Sequence, residues 1–464
     1  MKETDIKIVE ASHLTEMFNY RSPMKFGGRI VYDVVILNVS VKVATKSGKT
    51  AVGFGSMTMG NIWAWPGGVT EPDLALLAMA TLGKRIAKNA ADNCAQQYGH
   101  PLELAYDYSK MYGKIATDVA GEFTSELANL TEPIPKLAQL VAASPFEAAL
   151  FDAYGRLFNL NSYNMLSAEF CNRDLAYYLG DEFKGEYLDQ YTLREPKDRM
   201  PLYHLVGALD PLTSSEARIS LHDGLPEYFG NWIKYNGLTH IKIKLNGDDL
   251  YWDVDRVIAI DKICEEEQAK RGCKEWFYSV DFNERCENVE YVLEFLGKIK
   301  SKAPNAIKRL QYIEQPTNRD LRAHPENLMH KAAAIKPVVI DESLVDLESL
   351  HDSRKMGYSG VALKACKGLS EALLMGAAAQ KYKMFLCVQD LTCVGASFLQ
   401  SATLSARIPT VAAIEGNGRQ YCPDANEEWE SRYPSMFKFK DGTIESGVLK
   451  ECGLGFYFRF TNER

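Results

Sequence analysis

The chain has 464 residues, long enough for a large domain with a smaller companion, and its hydrophobic and charged fractions, 46% and 25%, are those of an ordinary globular protein. A net charge of -8 without any basic cluster argues against a nucleic-acid or anionic-membrane surface. No apolar run approaches the roughly 18 residues that a membrane span requires, and the start "MKETDIKIVEASHLTEMF" lacks the apolar core of a signal peptide.

Ten cysteines without a CxxC pair or zinc-like spacing point to a reducing, cytoplasmic setting and no structural zinc, and the eight dispersed histidines support neither His-based metal binding nor a triad.

From Arg29 to Gly55, β-branched residues in alternation predict two antiparallel strands joined by a turn at Lys46-Ser47-Gly48. Helical spacing follows in "EPDLALLAMATLGKRIAKNAADNCAQQY" and in "SPFEAALFDAYGRLFNL", the second opening on a Ser-Pro start signal. This N-terminal part reads as an α+β unit with a long helical insert between about residues 85 and 190.

After about residue 200 the rhythm changes. Seven short apolar runs recur, each ending in polar residues and each followed by a helix-length segment: "IKIKL", "FYSVDFN", "LQYIEQP", "PVVIDES", "GVALKA", "MFLCVQD" and "TVAAIEGN". Between them "NVEYVLEFLGKI" sets Val289, Val292, Leu293, Leu296 and Ile299 on one helical face, and "SEALLMGAAAQ" opens on a Ser N-cap. Such alternation predicts an α/β protein with a TIM-type (β/α) barrel, whereas the tail "FKFKDGTIESGVLKECGLGFYFRF" returns to hairpin-like alternation and is expected to rejoin the N-terminal unit.

Reacting groups in such barrels sit at the C-terminal ends of strands. Here those ends carry Lys242 and Lys244, Asp281 and Asn283, Glu314, Asp341 and Glu342, Lys364, Asp390, and Glu415. Three consecutive strands ending in carboxylates cannot leave those charges unpaired in a shielded mouth, and a hard divalent cation with oxygen ligands, Mg²⁺, resolves the conflict. The lysines flank the triplet on strands two and six, which face each other across an eight-stranded ring. Taken singly, each feature has a bland reading, such as two solvated lysines on an edge strand or a helix-start box at Asp341-Glu342-Ser343. Their order and spacing favour inward lysines that exchange protons with a metal-held substrate.

These residues resemble the enolase superfamily, within its muconate-lactonizing-enzyme-like subgroup (the mandelate racemase/muconate lactonizing enzyme family). The resemblance rests on "KIK" (Lys242 to Lys244), "VDFNE" (Val280 to Glu284), "YIEQP" (Tyr312 to Pro316), "IDES" (Ile340 to Ser343) and "LKACKG" (Leu363 to Gly368), with "KECGLGFYF" near the end. It implies a modified (β/α)8 barrel, (β/α)7β, over residues 196–420. An α+β cap would be formed by residues 1–195 and the C-terminal segment 421–464. It further implies Asp281, Glu314 and Asp341 as Mg²⁺ ligands, Lys244 and Lys364 as acid/base groups on opposite faces, and Lys242 as a positioning and neutralising residue. The implied chemistry removes the proton alpha to a carboxylate through a metal-stabilised enediolate, and a lysine base for it needs a lowered pKa, expected from burial beside the metal and a second lysine.

Two departures shape the expected reaction. The mandelate-racemase-like branch uses a histidine where this chain has Gln389 and Asp390, and dipeptide epimerases carry Asp-x-Asp on strand eight where this chain has Glu415-Gly416-Asn417. Two cap segments, "FNYRSPMKFGG" and "GSMTMGNIWAWPGG", are expected to close the mouth with Tyr20, Phe26, Met57, Trp63 and Trp65 as an apolar wall and Arg21 facing an anion. Glu415, Asn417, Gln389, Arg21 and Trp63 are the expected substrate contacts. The expectation is a racemase or epimerase acting on an amino acid derivative or dipeptide-like carboxylate, in a chain that assembles with itself. A lyase, dehydratase or cycloisomerase of the same scaffold, or a non-catalytic metal-bound binding protein, remains as an alternative.

Overall fold

The computed structural model describes residues 1–26, 29–68, 70–94, 97–126, 130, 132–217 and 220–458, and it begins with an antiparallel sheet. Strands β1 (Ile6–Phe26), β2 (Arg29–Thr45) and β3 (Thr50–Thr58) lie in the order β1-β2-β3. The β2–β3 pair is the one expected, and its turn uses Gly48 at φ 87°, where a side chain would be strained. The edge strand β1 lies outside the sequence expectation because it covers the core weakly: Val9, Leu14 and Met17 are all exposed, so its alternation is blurred.

A short helix α1 (Asn61–Ala64) leads into α2 (Pro72–Asn93), α3 (Pro101–Ser109), α4 (Tyr112–Glu126) and α5 (Lys136–Phe158), which make up most of the long helical insert. The Ser-Pro pair expected to start a helix lies inside α5 instead. Proline leaves the carbonyl four residues earlier without its usual donor, and here the Ser144 hydroxyl donates to Val141 O at 2.9 Å. Backbone meets backbone where α5 crosses β3: a Cβ added to Gly55 would stand 1.9 Å from Pro145 O, and one added to Gly53 would stand 2.1 Å from Ala153 N.

Eight parallel strands then close on themselves: β4 (Met200–Val206), β5 (His240–Lys244), β6 (Phe277–Asp281), β7 (Leu310–Glu314), β8 (Val338–Ile340), β9 (Gly360–Lys364), β10 (Phe385–Gln389) and β11 (Ile414–Glu415), with β11 paired to β4. Seven of them are the apolar runs read from the sequence, and β4 is the missing first stave. Inside, Tyr203, Tyr312, Val339, Ala362, Cys387 and Ala413 fill the interior as a packed layer. Outside, the helix Val289–Lys302 buries Val289, Val292, Leu296 and Ile299 of the face expected for it, together with Phe295, while Leu293, also expected there, is half-buried. The helix Leu369–Lys381 is capped by Gly368 rather than by Ser370, whose backbone N–H donates to Glu147 of α5 at 3.1 Å.

Among the described residues the tail shows one tight turn, bridged antiparallel between Lys440 and Thr443, in place of the expected hairpin-like strands. Its two-residue strand β12 (Thr443–Ile444) pairs antiparallel with the barrel strand β4, not with the cap sheet. Only afterwards does it reach the cap, where Leu454 N donates to Asp152 of α5 at 2.9 Å and the Phe458 ring stacks on Phe54 of β3 at 3.9 Å. All ten cysteines are free thiols. No helix among the described residues is long and apolar enough to cross a membrane.

Candidate active site

Parallel register sets the site. Lys244 on β5 is level with Asp281 on β6, and Asp281 with Glu314 on β7, so three charged side chains form one row across adjacent staves. Asp341 follows directly after β8, and Lys364 ends β9, level with Gln389 on β10. β5 and β9 are four staves apart in a ring of eight, so their lysines face one another across the mouth.

Both lysines of "KIK" are buried, Lys242 at 1% exposure and Lys244 at 4%, which settles the choice between an edge strand and an inward pair. The Lys242 ammonium lies 3.0 Å from Asp281, 2.7 Å from Glu314 and 2.8 Å from Glu415. Lys244 pairs with Asp281. Across the mouth, Lys364 Nζ lies 2.9 Å from Asp341 Oδ2, and Lys367 Nζ lies 3.2 Å from Oδ1 while donating to the Asp341 carbonyl oxygen at 2.5 Å. Neither carboxylate oxygen of Asp341 receives an aligned hydrogen bond from the described residues. Trp63 of α1 roofs this side, its ring centroid 4.4 Å from the Lys364 ammonium and its indole N–H donating to Glu342 at 3.0 Å.

Electrostatics follow from burial and neighbours. Burial favours a neutral acid at Asp281, but Lys244 and Lys242 outweigh it and hold this carboxyl well below the ordinary range. Asp341 is likewise held low against burial by Lys364 and Lys367. Burial, then the charge of Asp281, pushes Glu314 up. Burial and Asp341 push Glu342 up to about 8, and burial and Glu415 push Asp390 up to about 8. At Lys364 burial acts to lower the pKa, but Asp341 and Glu314 overcome it and hold the ammonium well above its usual value. Surrounding carboxylates, rather than a second lysine, dominate its field.

The donor set of three carboxylates on adjacent strand ends, with two buried oxygens on Asp341 lacking aligned hydrogen bonds, suits a hard divalent cation in chemistry. Among the described residues no three acidic, histidine or cysteine side chains are grouped as metal ligands in the present arrangement, where Lys242 stands between Asp281 and Glu314.

Of the expected substrate contacts, Trp63 sits over Lys364. Gln389 is turned inward, donating to Glu314. Glu415 is taken up by Lys242 and by Asn417, whose amide lies 3.3 Å away. Arg21 is committed elsewhere: its guanidinium meets Asp223 at 2.5 and 2.9 Å and Pro226 O at 3.2 Å, on the loop between β4 and β5. Met57 and Trp65 are core residues, Tyr20 packs on Tyr421 at 6.2 Å, and the side chain of Phe26 lies outside the described residues. Two participants had no assigned role in the sequence reading, Lys367 and Glu342. Both stand in quoted motifs, one turn after Lys364 and directly after Asp341.

The barrel half of the chain, residues 227–460, matches the family model described as "Enolase C-terminal domain-like". No curated protein matches the sequence. Among solved structures, the chain is similar to the N-succinyl Arg/Lys racemase from Bacillus cereus, at 14% identity and a TM-score of 0.61 over 98% of this chain and 96% of that one. It is also similar to the L-Ala-D/L-Glu epimerase from Bacillus subtilis, at 15% identity and 0.59 over 97% and 98%. A third likeness is to the muconate lactonizing enzyme from Pseudomonas fluorescens, at 16% identity and 0.58 over 98% and 97%. With half of its length matching the family model and a closed barrel under an antiparallel cap, the chain belongs to the enolase superfamily, in its mandelate racemase/muconate lactonizing enzyme group.

Proposed function

We propose that the protein is an isomerase that moves the proton alpha to a carboxylate, racemising or epimerising an amino acid derivative. The observation that carries this reading is the placement of Lys244 and Lys364 on opposed staves, with Asp281, Glu314 and Asp341 on the three staves between. A substrate carbon between the two ammonium positions is open to proton removal on one face and return on the other, which inversion requires. Each lysine has a carboxylate partner, so each can be held in place while it exchanges a proton.

Asp281, Glu314 and Asp341 would hold one Mg²⁺, with Lys242 shifting its ammonium toward Glu415. A divalent cation there would supply positive charge to the substrate carboxylate as the alpha carbon loses its proton. Trp63 covers the Lys364 side and keeps water from it. Glu415 is already spent on Lys242 and Asn417, which favours a substrate whose amine is acylated over one presenting a free ammonium to strand eight.

Incubation with Mg²⁺ in D₂O and single enantiomers of N-acyl amino acids, dipeptides and hydroxy acids tests the reading. Incorporation of alpha-deuterium with the carbon framework intact supports it. Loss of water or ring closure assigns the site to a lyase or cycloisomerase instead, and no reaction across the panel leaves a metal-bound binding protein.

A further inference from the structure

Helix α5 of the cap meets the barrel directly behind Lys364. It is locked to the cap sheet on both sides of residue 147, because Gly55 lies against Pro145 and Gly53 against Ala149 and Ala153, backbone on backbone. A side chain carried on a helix fixed this closely has a fixed place. Glu147 stands between those contacts, and its carboxyl reaches the barrel: a Cβ added to Gly368 would stand 2.9 Å from both of its oxygens. Glu147 is buried and makes no ion pair among the described residues. A carboxyl in that position is costly unless hydrogen-bonded, and its donor is the Ser370 N–H at 3.1 Å, in the first turn of the helix Leu369–Lys381. Burial pushes the carboxyl up to about 7. Its charged and neutral forms both accept from an N–H, so the contact holds on either side of neutrality.

The chain between Lys364 and Ser370 is short. Lys364 ends β9, residues 365–367 make one tight turn, and Gly368, at φ 96°, caps the helix that follows. Two contacts pin this turn. On the barrel side Lys367 donates to the Asp341 carbonyl oxygen at 2.5 Å, and on the cap side Glu147 holds the Ser370 N–H. The Lys364 ammonium, at the root of the pinned turn, lies 2.9 Å from Asp341 and 4.4 Å from the Trp63 ring centroid. The turn after Lys244 is held differently: the N–H groups of Asn246 and Gly247 go to Asp253, within the barrel, at 2.7 and 2.9 Å.

We propose that Glu147 is a positioning residue for Lys364: from the cap helix it fixes the turn that sets where this lysine stands, and it leaves Lys244 untouched. The inference rests on the reading of the reaction given above, in which each lysine serves one hand of the substrate. Glu147 touches no reacting atom and acts only through the turn.

The test uses two variants of nearly equal volume. Glu147→Met fills the same space without a strong acceptor, and Glu147→Gln keeps an amide oxygen for Ser370. Alpha-deuterium exchange is followed for each pure enantiomer of the substrate that the D₂O panel identifies, with the Mg²⁺-loaded protein. Glu147→Met should slow the hand that Lys364→Ala loses by about ten- to a hundredfold in kcat, the scale of a small misplacement of a reacting group, and should leave the other hand within about threefold. Glu147→Gln should stay within about threefold of the wild type for both hands, because the hydrogen bond is kept. A residue that only stabilised the fold would slow both hands alike; that result, or Glu147→Met matching the wild type, would overturn the positioning. Amide hydrogen exchange over residues 364–374, read by mass spectrometry, should be at least about tenfold faster in Glu147→Met and nearly unchanged in Glu147→Gln, and an unchanged rate in Glu147→Met would overturn it as well. A wild type that exchanges neither hand counts against the reaction, and amide exchange then decides by itself whether Glu147 holds the turn.

Discussion

Removing one lysine at a time separates the two faces of the proposed reaction, and the structure indicates that both variants will fold well enough to be read. Breaking a buried ion pair by deleting one partner ordinarily costs about 3–5 kcal/mol, because a charge is left uncompensated. Here neither carboxylate is stranded. In Lys364→Ala, Asp341 keeps Lys367 at 3.2 Å, and in Lys244→Ala, Asp281 keeps Lys242 at 3.0 Å. The loss should therefore stay at about 1–3 kcal/mol, the range for one missing buried partner. The chemical effect should be larger. Deleting a positioned acid or base costs about 10² to 10⁴ in rate, or about 3–5 kcal/mol of barrier. It should fall on one hand of the substrate only, because each lysine reaches one face of the alpha carbon. With each pure enantiomer supplied in D₂O, NMR should show Lys364→Ala exchanging one hand and Lys244→Ala the other, with net inversion lost in both. A variant dead toward both hands beside another merely slowed would refute the two-base geometry and assign proton transfer to a single lysine.

Glu314→Gln should abolish metal-dependent exchange, and the rise in melting temperature that Mg²⁺ gives the wild type should be absent from the variant, which thermal denaturation with and without the ion checks. Asp390→Asn should keep alpha-proton exchange within about tenfold, or about 1.4 kcal/mol, because the carboxyl faces the Thr392 and Cys393 backbone N–H groups at 3.2 Å and no histidine accompanies it; a loss matching the lysine variants would contradict this. Burial, with Arg419 adding to it, pushes His204 down to about 3 from 6.5, so the unfolded chain binds the proton first as pH falls. The stability His204 contributes is complete above pH 6.5 and is lost as pH falls toward 3. Between pH 7.5 and 5 the wild type should lose about 2 kcal/mol more in chemical denaturation than His204→Phe.

The barrel and its charged strand ends are legible in the sequence because each stave alternates inward and outward residues and each crossover restores the count. Two strands escape for opposite reasons. β4 carries Pro201 second in its run, which argues against a strand, yet that position faces only the two-residue β12 on one side. β1 is an edge whose outer residues meet solvent, so no hydrophobic rhythm marks it. The Ser-Pro pair of α5 misleads because a start signal and a mid-helix proline look alike until Ser144 is seen to satisfy the carbonyl that proline abandons.

Partners across long sequence separations are what the chain conceals. Arg21 reads as a free cation near the mouth, but Asp223 claims it from a loop on the other side of the cap–barrel boundary. The same holds for the balance at the lysines. Seen along the strand and the turn after it, Lys364 has no carboxylate beside it and only a lysine nearby, at 367. Folding turns residues 365–367 into one tight turn that brings Lys367 back over Asp341, so the two ammonium groups share a carboxylate between them. Their repulsion is then offset by Asp341, and Glu314 adds to the attraction at Lys364. Proton transfer from this lysine therefore depends on how much of that negative charge is drawn off. On the proposed reading, Asp341 is then the carboxylate that sets how readily the Lys364 base gives up its proton.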